Sequence, residues 1–129
     1  VLECNPACNW TYIIQHDYGT ITHGPAEGTW YGINQYLLYE CNDCWGAGLR
    51  FEWFCDDDGT RVAHDRGFSA GAYYALTAGL NWKPHTNLIV RPEIRYDWVD
   101  GVSAPDAEPF DFGDASEQLS GGFDFIVTY

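Results

Sequence analysis

The chain has 129 residues, 46% hydrophobic and 17% aromatic, and its 19 acidic against 6 basic side chains give a formal net charge of −13. That balance excludes a nucleic-acid partner, because no basic stripe exists to displace counterions from phosphate. The length fits a single domain, residues 1–129, with no linker or change of composition to divide it, and no run approaches the ~18 consecutive apolar residues of a membrane helix.

A mean hydropathy of −0.30 beside so many aromatics means that apolar and polar residues are interleaved, as in strands with two unlike faces. The predicted fold is all-β: an antiparallel meander of six amphipathic strands, at approximately 9–18, 30–40, 44–55, 70–83, 88–98 and 118–129. The first two are β-rich but irregular, since His16 and Gln35 fall among apolar neighbours. In the third, Trp45, Ala47, Leu49, Phe51 and Trp53 oppose Gly46, Gly48, Arg50 and Glu52. The fourth sets Tyr74, Leu76, Ala78, Leu80 and Trp82 against Ala75, Thr77, Gly79, Asn81 and Lys83. In the fifth, Leu88, Val90, Pro92, Ile94, Tyr96 and Trp98 oppose Ile89, Arg91, Glu93, Arg95 and Asp97. The sixth puts Leu119, Gly121, Phe123, Phe125, Val127 and Tyr129 against Gln118, Ser120, Gly122, Asp124 and Thr128, with Ile126 the one apolar intruder.

Connections are expected to alternate in length, with short turns at Asn42-Asp43 and Pro84 to Asn87 and long polar loops over Thr20–Gly28, Asp56–Ser69 and Asp100–Glu117. Bacterial outer-membrane barrels have short periplasmic turns and longer extracellular loops. Placing Tyr129 at the periplasmic rim puts all three long loops outside. The sequence starts at Val1 and contains no Met or signal peptide, so a processed or truncated product is expected.

Backbone polar groups in hydrocarbon must be paired within the protein, so strands that span a bilayer close into a barrel. A soluble β-sandwich can show the same alternation with its apolar face inward. Two features favour the membrane. Aromatics at the ends of the apolar stripes, Trp45, Trp53, Tyr74, Trp82, Tyr96, Trp98 and Tyr129, suit a lipid-facing girdle. Charges of both signs on the other face, Arg50, Glu52, Lys83, Arg91, Glu93, Arg95, Asp97 and Asp124, suit a polar lumen. There they form either a constriction that sorts solutes or a salt-bridge ladder that stiffens the interior.

Five cysteines point to an oxidising compartment. Cys4, Cys8, Cys41 and Cys44 fall at one rim and are disulfide candidates, with a zinc site or a redox pair as alternatives. Cys55 lies at the opposite end and is expected to stay unpaired within one chain, or to link two copies. Asp56, Asp57 and Asp58 are a weak calcium candidate, since they lack the alternating spacing of a calcium loop; solvated loops are the alternative, as for Asp106, Glu108, Asp111, Asp114 and Glu117. His16, His23, His64 and His85 read as surface residues. No nucleophile elbow, phosphate loop or metallohydrolase pattern is present, so neither catalysis nor a cofactor is expected.

Several motifs together carry a family resemblance: Trp30-Tyr31-Gly32-Ile33-Asn34-Gln35-Tyr36-Leu37, Gly48-Leu49-Arg50-Phe51-Glu52-Trp53-Phe54, Asp56-Asp57-Asp58-Gly59-Thr60-Arg61, Gly79-Leu80-Asn81-Trp82-Lys83-Pro84 and Arg91-Pro92-Glu93-Ile94-Arg95. Over roughly residues 10–129 the chain resembles the C-terminal part of the OmpL-like outer-membrane β-barrel porins. The resemblance implies an outer-membrane location, contact with its lipid, and passive diffusion of small solutes. The terminal Phe123, Phe125, Val127 and Tyr129 resemble the signal read by the barrel-assembly machinery. The chain departs from the family in being shorter and richer in cysteine.

Six strands fall below the ~8 of the smallest single-chain outer-membrane barrels, so either upstream strands are missing or copies join as a homo-oligomer. An alternative function is a structural subunit of a cell-surface or extracellular β-rich filament locked by disulfides. A soluble binding module or an outer-membrane enzyme is a third.

Overall fold

A computed structural model of the chain describes residues 1–23, 26–59, 63–64, 67–68, 70–101, 108–111 and 114–129. Its strands are β1 (Leu2–Ala7), β2 (Trp10–His23), β3 (Ala26–Asn42), β4 (Trp45–Asp56), β5 (Ala63–His64), β6 (Gly67–Phe68), β7 (Gly71–His85), β8 (Leu88–Asp100) and β9 (Glu117–Val127). Seven of them form one antiparallel meander in the order β1-β2-β3-β4-β7-β8-β9, and β5 pairs only with β6. The fold is all-β, and the sheet is not closed: β1 and β9 are its two edges.

The sheet holds one strand more than the six expected. Residues 2–7 carry no alternation to betray a strand, and β1 forms by pairing with β2, Leu2 opposite Ile14 and Cys4 opposite Tyr12. The long loop expected over Thr20–Gly28 is instead ladder: Thr20 pairs with Thr29, Ile21 with Gly28, Thr22 with Glu27 and His23 with Ala26. Thr20, Ile21 and Thr22 are β-branched and suit an extended backbone. Because β4 ends where Asp56 meets Trp30, the β2–β3 hairpin projects past its neighbour by those four pairs, about 13 Å at ~3.3 Å per residue.

The other connections do alternate. Adjoining strand ends leave two residues at β1–β2, β3–β4 and β7–β8, all at one rim, while residues 57–70 and 101–116 connect strands at the other. The β3–β4 turn is closed by the Asn42 side-chain carbonyl, which accepts from the backbone N–H of Cys44 (2.9 Å) and of Trp45 (3.1 Å). At the same rim, Thr128 N–H donates to the carbonyl of Asn87 at 3.0 Å. Thr60 and Arg61 of the family motif, and Asp106, lie outside the described residues.

Residues paired across an antiparallel ladder project to the same side, so the register defines two faces of the whole sheet. One carries Leu37, Leu49, Leu76, Leu80, Ile94, Leu119, Phe123, Phe125 and Val127, all exposed. The other carries the charged residues, and every buried side chain among the described residues belongs to it: Ala75, Thr77, Val99 and Asp56, the last at 0% exposure. The arrangement inverts that of a soluble sandwich, in which the apolar face is covered.

Candidate functional site

The inner, polar face is ordered into rows by the hydrogen-bonded register. Asn34, Glu52, Ala75, Asp97 and Gln118 lie side by side across β3, β4, β7, β8 and β9. Two residues nearer the short turns follow Tyr36, Arg50, Thr77, Arg95 and Ser120. An acidic row therefore abuts a basic one, and the charges neutralise pairwise. Arg95 Nε donates to both carboxylate oxygens of Asp97, at 2.9 and 3.0 Å, and its Nη1 reaches Glu52. Glu52 also pairs with Arg50 Nε at 3.2 Å, and Arg50 Nη2 donates to Thr77 Oγ1 at 3.4 Å. These side chains are only 18–33% exposed, so the local dielectric is below that of bulk water and the network resists rearrangement.

The next row is Leu38, Gly48, Gly79, Glu93 and Gly122. Its glycines leave a trough of about 440 Å³ bordered by Asn81, Arg91 and Asp124. A Cβ built on Gly122 meets nothing within 4 Å, so glycine there keeps space open rather than relieving a clash. Glu93 has no ion-pair partner among the described residues, whereas Arg91 Nε donates to Asp124 at 2.9 Å. Lys83 sits at the short-turn rim, beside Asp43 and Glu40.

On the outer face the register gathers aromatics into two belts. Tyr31, Trp53, Tyr74 and Trp98 are neighbours toward the long-connection rim, with Tyr74 and Trp98 stacked at 5.2 Å and Tyr31 edge-on to Trp53 at 5.4 Å. Tyr96 stacks on Trp98 at 5.5 Å, and its hydroxyl donates to Glu117. Toward the short turns, Trp45 stacks on Trp82 at 5.5 Å and Trp10 packs on Tyr39 at 4.5 Å; Tyr129 stands fully exposed at the same end. Trp45 and Trp53 are eight residues apart on β4, which at ~3.3 Å per residue and a tilt of ~40° is about 20 Å of height, close to the ~25 Å apolar band of outer-membrane barrels.

A family model described as "Putative beta-barrel porin-2, OmpL-like" matches residues 1–129. The chain belongs to that family. No curated protein and no solved structure matches it at the corresponding stringency. Family membership and the open sheet agree with each other: a porin-type strand set has an apolar exterior and a polar interior, and this sheet has one apolar and one polar face.

One expectation about side chains is corrected in this porin-family chain. All five cysteines are free thiols, so the disulfides expected among Cys4, Cys8, Cys41 and Cys44 are not formed. Cys4 sits within β1 opposite Tyr12, Cys8 lies in the following turn, and the β3–β4 turn between Cys41 and Cys44 is already held by Asn42. The weak calcium candidate, Asp56, Asp57 and Asp58, lies at the end of β4 and just past it. Among the described residues no three His, Cys, Asp or Glu come together as metal ligands. Asp58 instead accepts from the backbone N–H of Thr29 at 2.9 Å, Asp57 from Cys55 Sγ at 3.1 Å, and Asp56 is buried at the ladder's end.

Two features escaped the alternation pattern. Gln35, on the outer face, is satisfied by Tyr12, whose hydroxyl donates to Gln35 Oε1 at 2.6 Å; only the register brings them together. The inner face is also not uniformly polar. Toward the long-connection rim it carries Trp30, Phe54 and Tyr73, with ring centroids of Trp30 and Phe54 6.0 Å apart and of Phe54 and Tyr73 6.5 Å apart. Glycines opposite large rings were the available signal: a Cβ on Gly19 would strike the Trp30 ring at 2.3 Å.

Proposed function

We propose that the chain is part of an outer-membrane diffusion pore for small solutes, its charged face lining the lumen and its apolar face meeting lipid. One observation carries the reading: among the described residues burial is confined to the polar face, while the large aliphatic side chains of the other face stand exposed between two aromatic belts. In water an apolar surface of that extent is untenable without a partner; in a bilayer it is the required exterior. The strands are long enough, since β4, β7, β8 and β9 have 12, 15, 13 and 11 residues and a tilted membrane strand needs ~9–11.

Seven strands with two open edges do not make a pore. Backbone groups on β1 and β9 would be unpaired in hydrocarbon, at several kcal/mol each, so further strands from the same protein or from other copies must complete the ring. The barrel-assembly machinery is the expected partner in biogenesis, through Phe123, Phe125, Val127 and Tyr129. On this reading the protein is not an enzyme, and selectivity comes from the tiers of charge and from Glu93 in the glycine trough.

The test is insertion into planar bilayers from detergent. Stepwise conductance is expected, and replacing Arg91 and Arg95 with Glu should move the reversal potential under a salt gradient toward cation selectivity. Detergent-free solubility as a monomer would refute the pore. Filaments sedimenting without lipid would favour the structural-subunit alternative, for which the open sheet edges are the one supporting feature.

A further inference from the structure

The aromatic part of the inner face borders a second hollow. A cavity of about 330 Å³ is lined by Phe54 and Tyr73 on the sheet, by Asp97 and Arg95 one and two rows further in, and by Pro109 and Phe110 from the β8–β9 connection. That connection is tied back to the sheet. Phe110 and Ala115 exchange backbone hydrogen bonds at 3.1 Å in each direction, and Val99 N–H donates to the Ser116 carbonyl at 2.9 Å. Phe54 is backed by Gly32, where a Cβ would lie 3.3 Å from its ring. Phe54 and Tyr73 are inclined at 48°, so neither ring covers the face of the other.

We propose that this hollow is a docking subsite for the neutral, polyhydroxylated ring of a saccharide entering the lumen; the proposal rests on the pore reading above and names a solute class for it. Three properties select the ligand. Its volume lies at the small end of the ~300–1,000 Å³ range of small-molecule sites, suited to one or two sugar rings. The electron-rich faces of Phe54, Tyr73 and Phe110 attract the positively polarised C–H face of a sugar ring. The polar wall presents guanidinium donors and carboxylate acceptors side by side, which matches a hydroxyl-bearing solute that both donates and accepts.

The same wall discriminates against ions. Arg95 is held by both oxygens of Asp97 and by Glu52, and the four charges Arg50, Arg95, Glu52 and Asp97 sum to zero. An incoming carboxylate or phosphate would have to displace one of these carboxylates from Arg95, and an ammonium would have to displace Arg95 itself. A sugar hydroxyl needs neither exchange, because each carboxylate oxygen and the guanidinium edge retain capacity for a further neutral hydrogen bond.

The full-length protein refolded in detergent, and the same protein in planar bilayers, supply the test, with maltose as probe and benzoate and lysine as ionic controls. Maltose is expected to change intrinsic tryptophan fluorescence saturably and to block the ion current over the same concentration range, with neither control doing so. Phe110→Ala and Tyr73→Ala should each raise the half-saturating maltose concentration by about tenfold, while Phe125→Ala on the outer face should leave it unchanged. Phe110 lies in a connection rather than the ladder, so its variant keeps the test informative if Tyr73→Ala fails to fold. Ion conduction with no maltose response, an equal response to benzoate, or insensitivity to Phe110→Ala would overturn the subsite and leave the pore intact. Saturable maltose binding without any conductance would instead overturn the pore and keep the saccharide site.

Discussion

Replacing Ile94 with Arg places a charge in the middle of the outer apolar face. Ile94 pairs with Ala78 on β7 and Gly121 on β9, and is 52% exposed. It lies six residues along β8 from Leu88, which pairs with Val127 at the short-turn rim. At ~3.3 Å per residue and ~40° of tilt, that is about 15 Å above the rim, the midplane of a hydrocarbon layer ~30 Å thick. Arg at the midplane of a membrane barrel costs ~2–4 kcal/mol, and near the interface ~0–1. Ile94→Arg in the full-length protein should therefore lower the free energy of unfolding from phospholipid vesicles by about 3 kcal/mol, and Val127→Arg by less than about 1. Guanidinium titration followed by tryptophan fluorescence measures both. On a solvated surface each change would fall within ~0.5 kcal/mol; equal and negligible effects at the two positions would refute a lipid-facing placement.

Three other outcomes are expected. Arg95→Gln strips Asp97 of its bidentate partner and should cost about 1–2 kcal/mol in the same titration, a figure discounted for side chains 18–31% exposed, while shifting the channel toward cations; an unchanged reversal potential would count against its exposure to the permeating ions. Gly122→Gln fills open trough space without a clash, so single-channel conductance should fall with the unfolding midpoint essentially unmoved, and a large loss of stability would mean that the trough is closed in the assembled barrel. Maleimide labelling under non-reducing conditions should modify all five thiols, with Cys4, Cys8, Cys41 and Cys44 faster than the half-buried Cys55; a protein two or four mass units lighter than its fully reduced form would restore the disulfides.

What the sequence alone determined is the local part of this design. Period-two alternation in 45–55, 74–82, 88–98 and 118–129 reports directly which side chains share a face, because a strand turns each residue to the side opposite its neighbours. That gives the strands, the two faces and the candidate lumen charges as sets. The edge strand β1 was not legible, since residues 2–7 acquire their conformation from pairing with β2 rather than from a pattern of their own. The β2–β3 projection is not legible because Thr, Gly and Glu read as loop composition, although Thr20 to Thr22 also suit a strand.

Tertiary structure decided everything that depends on register. Which carboxylate meets which guanidinium across β4 and β8 follows from the alignment of each strand with β7, and a shift of one residue would send every charge to the other face. The same alignment places Phe54 and Tyr73 beside the charge network and delivers Phe110 over them from a distant connection. Only the folded sheet reveals that the buried side chains among the described residues lie on the polar face, not the apolar one. Alternation says that a strand has two unlike faces; which of them becomes the interior depends on long-range packing that no local period encodes.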